Sequence, residues 1–147
     1  MESKFNFGLQ KLLDIRIERE EESKRYFLNA QCEKNRAEER LTELQSNYDK
    51  YNRVDNKETV VIKKIKKNYL NALTMTIDQA EKELEYKEIQ LSRCREDLKD
   101  RQIDRKTVEV LKDKRYIEFI KQENLREQKM NDEFALYSFI RKSTERR

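Results

Sequence analysis

The sequence predicts an all-α fold: one long antiparallel two-helix coiled coil, an α-hairpin whose second helix overhangs the first. Three observations carry this. Proline is absent and glycine occurs once, at Gly8, so the two strongest helix breakers hardly interrupt the chain. Charged residues make up 44% and hydrophobic ones 35%, too little apolar material for a thick core but enough for a seam between helices. Apolar residues also recur every seven positions over two long stretches.

The first stretch sets Leu9, Arg16, Ser23, Ala30, Ala37, Leu44 and Tyr51 on one row and Leu13, Phe27, Leu41 and Tyr48 on its neighbour, a seam with polar interruptions. Glu20 with Lys24 and Glu21 with Arg25 lie four apart and support a solvated outer face. Helix one is predicted from about Lys4 to Val54. The segment Asn52 to Thr59 holds the Asn and Asp residues that tolerate turns, and the turn is placed at about 55–59. One continuous helix is the alternative, because neither Gly nor Pro stands there.

The second helix, about 60–141, has the cleaner repeat. Leu70, Ile77, Leu84, Leu91 and Leu98 recur beside Leu73, Ala80, Lys87, Cys94, Arg101 and Val108. At 1.5 Å per residue it would extend ~120 Å against ~75 Å for helix one, all within a single domain of residues 1–147. If the chain folds back near residue 57, facing residues have numbers adding up to about 114. Leu44 then meets Leu70, Leu41 meets Leu73, Ala37 meets Ile77 and Ala30 meets Leu84, small against large. In that register Cys32 and Cys94 lie about twelve residues apart along the seam, roughly 18 Å, too far for a disulfide.

Helix one is used up once Leu9 has met Arg105, which leaves Val110, Leu111, Ile117, Phe119, Ile120, Met130, Phe134, Leu136, Tyr137, Phe139 and Ile140 without a partner in the chain. Met130, Phe134 and Tyr137 follow an i, i+4, i+7 spacing and form one stripe, the pattern of a protein-binding surface. The alternative is a tail that frays or packs against Phe5 and Phe7. Near the turn, Tyr48, Tyr51 and Tyr69 make either a second binding surface or a cap on the seam.

Several classes of function are excluded. Without histidine, Ser-His and Cys-His nucleophile pairs and the commonest zinc ligand are missing. A lone Gly8 cannot build either of the glycine-rich phosphate loops. No enzyme, metal or cofactor is expected. No stretch reaches the ~20 apolar residues of a membrane span, and no secretory signal is present, so a cytoplasmic protein without direct membrane insertion is expected. Two cysteines outside any CxxC pair fit a reducing compartment. The net charge of +4 gathers at Lys63, Lys64, Lys66 and Lys67 and at Arg141, Lys142, Arg146 and Arg147. Acids interspersed through the chain argue against nucleic acid as the partner.

The opening FNFGLQKLLDIRIEREEE, through Phe5, Phe7, Leu9, Gln10, Leu13, Asp14 and Arg16, resembles the F-x-F-x-L-Q-x-L-L-D-x-R start of FliJ proteins, coiled-coil components of the bacterial flagellar type III export machine. DRQIDRKTVEVLKDKR and the terminal QKMNDEFALYSFIRK, with Lys129, Asp132, Glu133 and Ala135, are similar to that family's later blocks. The resemblance implies a stalk like the two-helix coiled coil of the rotary ATPase gamma subunit, whose paired ends engage the hexameric export ATPase. The ATPase-binding end then falls on Phe5, Phe7, Ile117, Ile120, Met130, Phe134 and Tyr137. The region near the tip would touch export chaperones and the cytoplasmic domain of the membrane export gate, the latter through Leu44, Tyr51, Tyr69, Leu73 and Thr76. Leu44 and Leu73 also belong to the seam, and Asn47 stands where the family suggests another aromatic. The resemblance implies a cytoplasmic location at the inner face of the membrane, at the flagellar base. The alternatives are the stalk of a virulence-type secretion system, a generic coiled-coil scaffold and, last, a nucleic-acid binder.

Overall fold

The computed structural model describes residues 4–53 and 55–145. Two long helices, α1 (Gln10–Tyr51) and α2 (Val60–Glu145), pack against each other, and no strand occurs among the described residues. By its internal contacts the chain divides into a hairpin unit, Glu18–Gln102, and a terminal unit made of the residues up to Ile17 and from Ile103.

In the hairpin unit Glu20, Ser23, Phe27, Ala30, Lys34, Ala37, Leu41, Leu44 and Tyr48 of α1 are buried or half-buried and alternate by three and four, with Lys24, Glu33 and Asn47 half-buried beside them. On α2 Lys66, Leu70, Leu73, Ile77, Ala80, Leu84, Lys87, Leu91, Cys94, Leu98 and Arg101 follow the same alternation, the signature of a coiled-coil seam, with Thr76 and Gln90 half-buried beside it. No side chain among the described residues is fully enclosed; the deepest apolar ones in this unit are Ala37, Leu73 and Ala80. A two-helix seam leaves every side chain one flank open, so each position removes less apolar surface from water than a globular core would.

The register differs from the expected one. The Ser23 hydroxyl donates to Asp97 Oδ2 at 2.8 Å, Lys87 Nζ donates to Glu33 Oε2 at 2.6 Å, and the Tyr51 and Tyr69 rings meet at 5.2 Å. The numbers in each of these pairs add up to 120, not 114. Ala37 therefore comes within one residue of the level of Leu84, not of Ile77, and Leu41 within one of Ala80, not of Leu73. The small-against-large pairing survives with other partners.

The cause lies in the connection. Lys66 Nζ donates to Arg53 O at 2.5 Å and to Glu58 Oε1 at 3.1 Å, which draws both of these connection residues back along α2. Asp55 shapes the bend, accepting from the Lys57 N–H on its side chain at 3.0 Å and from the Glu58 N–H on its carbonyl at 3.3 Å. Residues 60–68 of α2 consequently precede the level at which α1 ends. Val54, the expected last residue of helix one, lies outside the described residues, and α1 stops at Tyr51.

Glu20, expected on the outer face, is instead 3% exposed in the seam, with Lys24 Nζ at 3.3 Å. Both cysteines are free thiols, Cys32 exposed and Cys94 half-buried.

The terminal unit explains why α1 begins at Gln10 and not near Lys4. Phe7 is buried with Leu13 and Val108, Phe5 packs against that cluster, and Asn6 between them is exposed. Residues two apart share a side only in extended backbone, so burying both rings keeps 4–7 out of the helix. A turn follows, closed by the Gln10 N–H donating to Phe7 O at 3.0 Å. Arg16 Nη1 donates to the Asp104 carbonyl at 2.6 Å. α2 runs on to Glu145, past the expected end near 141, and the Ser143 and Thr144 hydroxyls donate back to Ile140 O. Arg146 and Arg147 of the basic terminus lie outside the described residues.

The Glu33–Lys87 pair sets a pH dependence. The hydrogen bond from Lys87 holds the Glu33 carboxyl below the usual 4.5, and the bond to Glu33 holds the Lys87 ammonium above the usual 10.5. The pair's contribution is complete between those values. It is lost as pH falls through the lowered Glu33 titration, and again as pH rises through the raised Lys87 one. Acidification from about pH 6 to about pH 3 should lower the thermal midpoint of the helical circular dichroism signal, and by less in Glu33→Gln. An equal drop in both proteins would remove Glu33 as a contributor.

Candidate functional site

In the terminal unit the Phe5 ring lies 5.3 Å from that of Tyr116 and 5.5 Å from that of Phe119 on α2. Phe119 thus has a partner, contrary to the expectation that it is bare. From Lys121 to Glu145 every described residue is exposed except Glu123, which is half-buried. Met130 (49% exposed), Phe134 (66%) and Tyr137 (71%) lie along one face of this segment, and Leu136, Phe139 and Ile140 are open as well. Ile117 and Ile120 are exposed just before it. Contiguous apolar surface of this kind on a charged helix is the mark of an interface.

The candidate ATPase-binding residues therefore divide. Ile117, Ile120, Met130, Phe134 and Tyr137 are accessible. Phe7 is buried, and Phe5 is half-buried between α2 aromatics, so these two hold the extended segment against α2. Reading the sequence singled out Val110 and Leu111 but missed Leu12 and Ile15 on α1 and Ile103, which with Val110 and Leu111 lines a shallow apolar hollow on α2, all in the same unit. The signal was available, since all of them stand off the seam rows.

In the hairpin unit the candidate gate-binding residues also divide. Tyr51 and Tyr69 are exposed and meet edge to face at an interplanar angle of 77°, and Lys50 Nζ lies 5.6 Å from the Tyr51 ring. With Ile62 and Ile65 they line a shallow hollow. Leu73 is 6% exposed in the seam and Leu44 is half-buried there. Thr76 is half-buried, its hydroxyl donating to Ala72 O at 3.0 Å. Of the five, the two tyrosines are the ones exposed to solvent. The stretch Val60, Val61, Ile62 and Ile65, open to solvent ahead of the seam, was not singled out from sequence although its spacing departs from the heptad.

Among the described residues no group of three or more acidic, cysteine or histidine side chains is placed to hold a metal ion, and no helix is long and apolar enough to cross a membrane. The profile of one protein family, described as "Flagellar FliJ protein", matches residues 5–144. No curated protein and no solved structure matches the chain.

Proposed function

The chain belongs to the FliJ family of flagellar export components, and from that premise we propose that it is an export adaptor: its terminal unit binds the hexameric export ATPase, and its hairpin unit meets the cytoplasmic domain of the membrane export gate and export chaperones. It acts by contact rather than by chemistry, in the cytoplasm against the inner face of the membrane at the flagellar base.

One observation carries this reading, the uncovered apolar stripe of Met130, Phe134 and Tyr137. Exposing such residues to water is unfavourable by roughly 25 cal/mol for each Å² that a partner would cover, and a partner surface recovers that free energy. Ile117 and Ile120 extend the surface toward the Phe5–Phe119 contact, where the extended segment packs on α2. On the hairpin unit the Tyr51–Tyr69 pair offers rigid, amphipathic area at small entropic cost, the chemistry that suits a gate contact. Leu44, Leu73 and Thr76 would contribute by setting the seam on which that pair rests.

The test is to mix the purified chain with its cognate flagellar ATPase and follow ring assembly by light scattering together with ATP turnover. Assembly or turnover should rise at micromolar chain. No change in either would overturn the adaptor reading.

A further inference from the structure

The hollow around Ile103, Val110 and Leu111 belongs to a longer face. In the terminal unit α2 turns Val108 and Phe119 toward the residues that cover them, and at 100° per residue Val110 and Lys121 lie about half a turn away from those two. The row through Val110 and Lys121 runs along the helix from Ile103 to Ser143 in steps of three and four, and every residue on it is exposed. Its large apolar members are Ile103, Val110, Leu125, Leu136 and Phe139. Met130, Phe134 and Tyr137 stand on the other side of the helix, so the ATPase reading does not use this face and the inference does not rest on it.

The steps of the row are mirror-symmetric about the level of Glu123. A second copy laid antiparallel against the first at that level meets matching spacing along the whole overlap. Val110 comes level with Leu136 of the second copy, Thr107 with its Phe139 and Lys114 with its Asp132, and the two-fold symmetry makes each contact twice. Lys114 and Asp132 hold no salt bridge within the chain among the described residues. We propose that this face docks a second copy of the chain, as an antiparallel two-fold dimer registered by the Lys114–Asp132 pair.

Charge selects both the occupant and its direction. Parallel pairing would set Lys114 against Lys114 and Asp132 against Asp132, whereas antiparallel pairing turns both repulsions into ion pairs. The overlap is about 60 Å long at 1.5 Å per residue, close to the length of α1, whose packing on α2 holds the hairpin together. Like the hairpin seam, which takes up Glu20, Lys34 and Lys87, this one combines apolar pairs with charges that fix its register. Two-fold pairing consumes the face on both copies, so association stops at two.

Sedimentation equilibrium of the full chain, at concentrations from about 1 to about 100 μM, tests it. The mass should rise from 18.1 kDa to twice that value and no further. Lys114→Asp and Asp132→Lys should each weaken the dimer about a hundredfold, because every dimer then holds two like-charged contacts. Mixed in equal amounts, the two variants should associate as tightly as the parent, since each supplies the charge that the other lacks. Val110→Asp with Leu136→Asp should leave a monomer with the helical circular dichroism signal of the parent. A mass of 18.1 kDa throughout, growth beyond two copies, a single charge variant that dimerises like the parent, or a mixture of the two that stays monomeric would each overturn the proposal. So would a dimer that survives the Val110 and Leu136 changes but is lost with Ile120→Asp and Phe134→Asp, which would put the interface on the opposite stripe.

Discussion

The chain carrying Ile120→Asp together with Phe134→Asp should lose binding to the export ATPase while its helical circular dichroism signal stays that of the parent. Both side chains are exposed in the free chain, so neither substitution opens a cavity or leaves a carboxylate buried in the fold. The cost to the helix is limited to the modest propensity of aspartate, about 0.7 kcal/mol per site or less. At an interface the balance reverses, because each carboxylate would be taken out of water opposite apolar groups. Central apolar anchors contribute on the order of 2–4 kcal/mol each, so the pair should weaken binding by about a thousandfold or more. Retained binding would place the ATPase contact elsewhere on the chain.

Leu73→Ala should lower the stability of the hairpin unit by about 2–3 kcal/mol, toward the low end for a buried leucine because a two-helix seam lets water reach the vacated space. A urea or thermal melt followed at the helical signal reads this directly. Tyr69→Ala should leave the melt nearly in place, since Tyr69 is 44% exposed and its one ring contact among the described residues is with Tyr51. It should nevertheless weaken binding to the gate domain if the tyrosine pair is the contact. Both residues are candidates for the gate surface, and the two variants separate supporting a surface from being one. A melt unaffected by Leu73→Ala would contradict the burial of that side chain.

Most of the seam was legible in the sequence, because seven-residue spacing is a local property. The rows through Leu41, Leu44, Leu70, Leu73, Ile77 and Leu84 are the rows the structure buries or half-buries. The register was not legible from the turn, because it was taken as symmetric about residue 57. Asp55 and Lys66 instead hold the loop back along α2, a side-chain effect that composition does not announce. A better reading was available. Tyr51 closes one seam row and Leu70 opens the other, and pairing those two ends gives a sum of 121, within one of the observed value.

The start of α1 was misjudged for a similar reason. The lack of proline, and of any glycine but Gly8, suggested helix from Lys4, but Phe5 and Phe7 alternate, and a period of two outweighs helical propensity when both rings find Val108, Tyr116 or Phe119 to cover them. At the candidate surfaces, the sequence located exposed stripes where the seam runs out. It could not tell that Phe119 is covered or that Phe7 is interior, since both facts depend on where the extended segment docks.

The polar pairs within the hairpin unit also bear on how it carries a load. Apolar heptads by themselves resist sliding weakly, because a slip of seven residues brings similar side chains level again. Lys87 and Glu33 do not repeat. One slip moves Lys87 to the level of Arg40 or Tyr26 and strands Glu33 beside Ala80 or Cys94, so each direction replaces a 2.6 Å ion pair with a repulsive or unpaired charge. Pulled or pushed along their axes, the two helices are thus pinned in one register against creep, and shear is passed on as movement of the pair together.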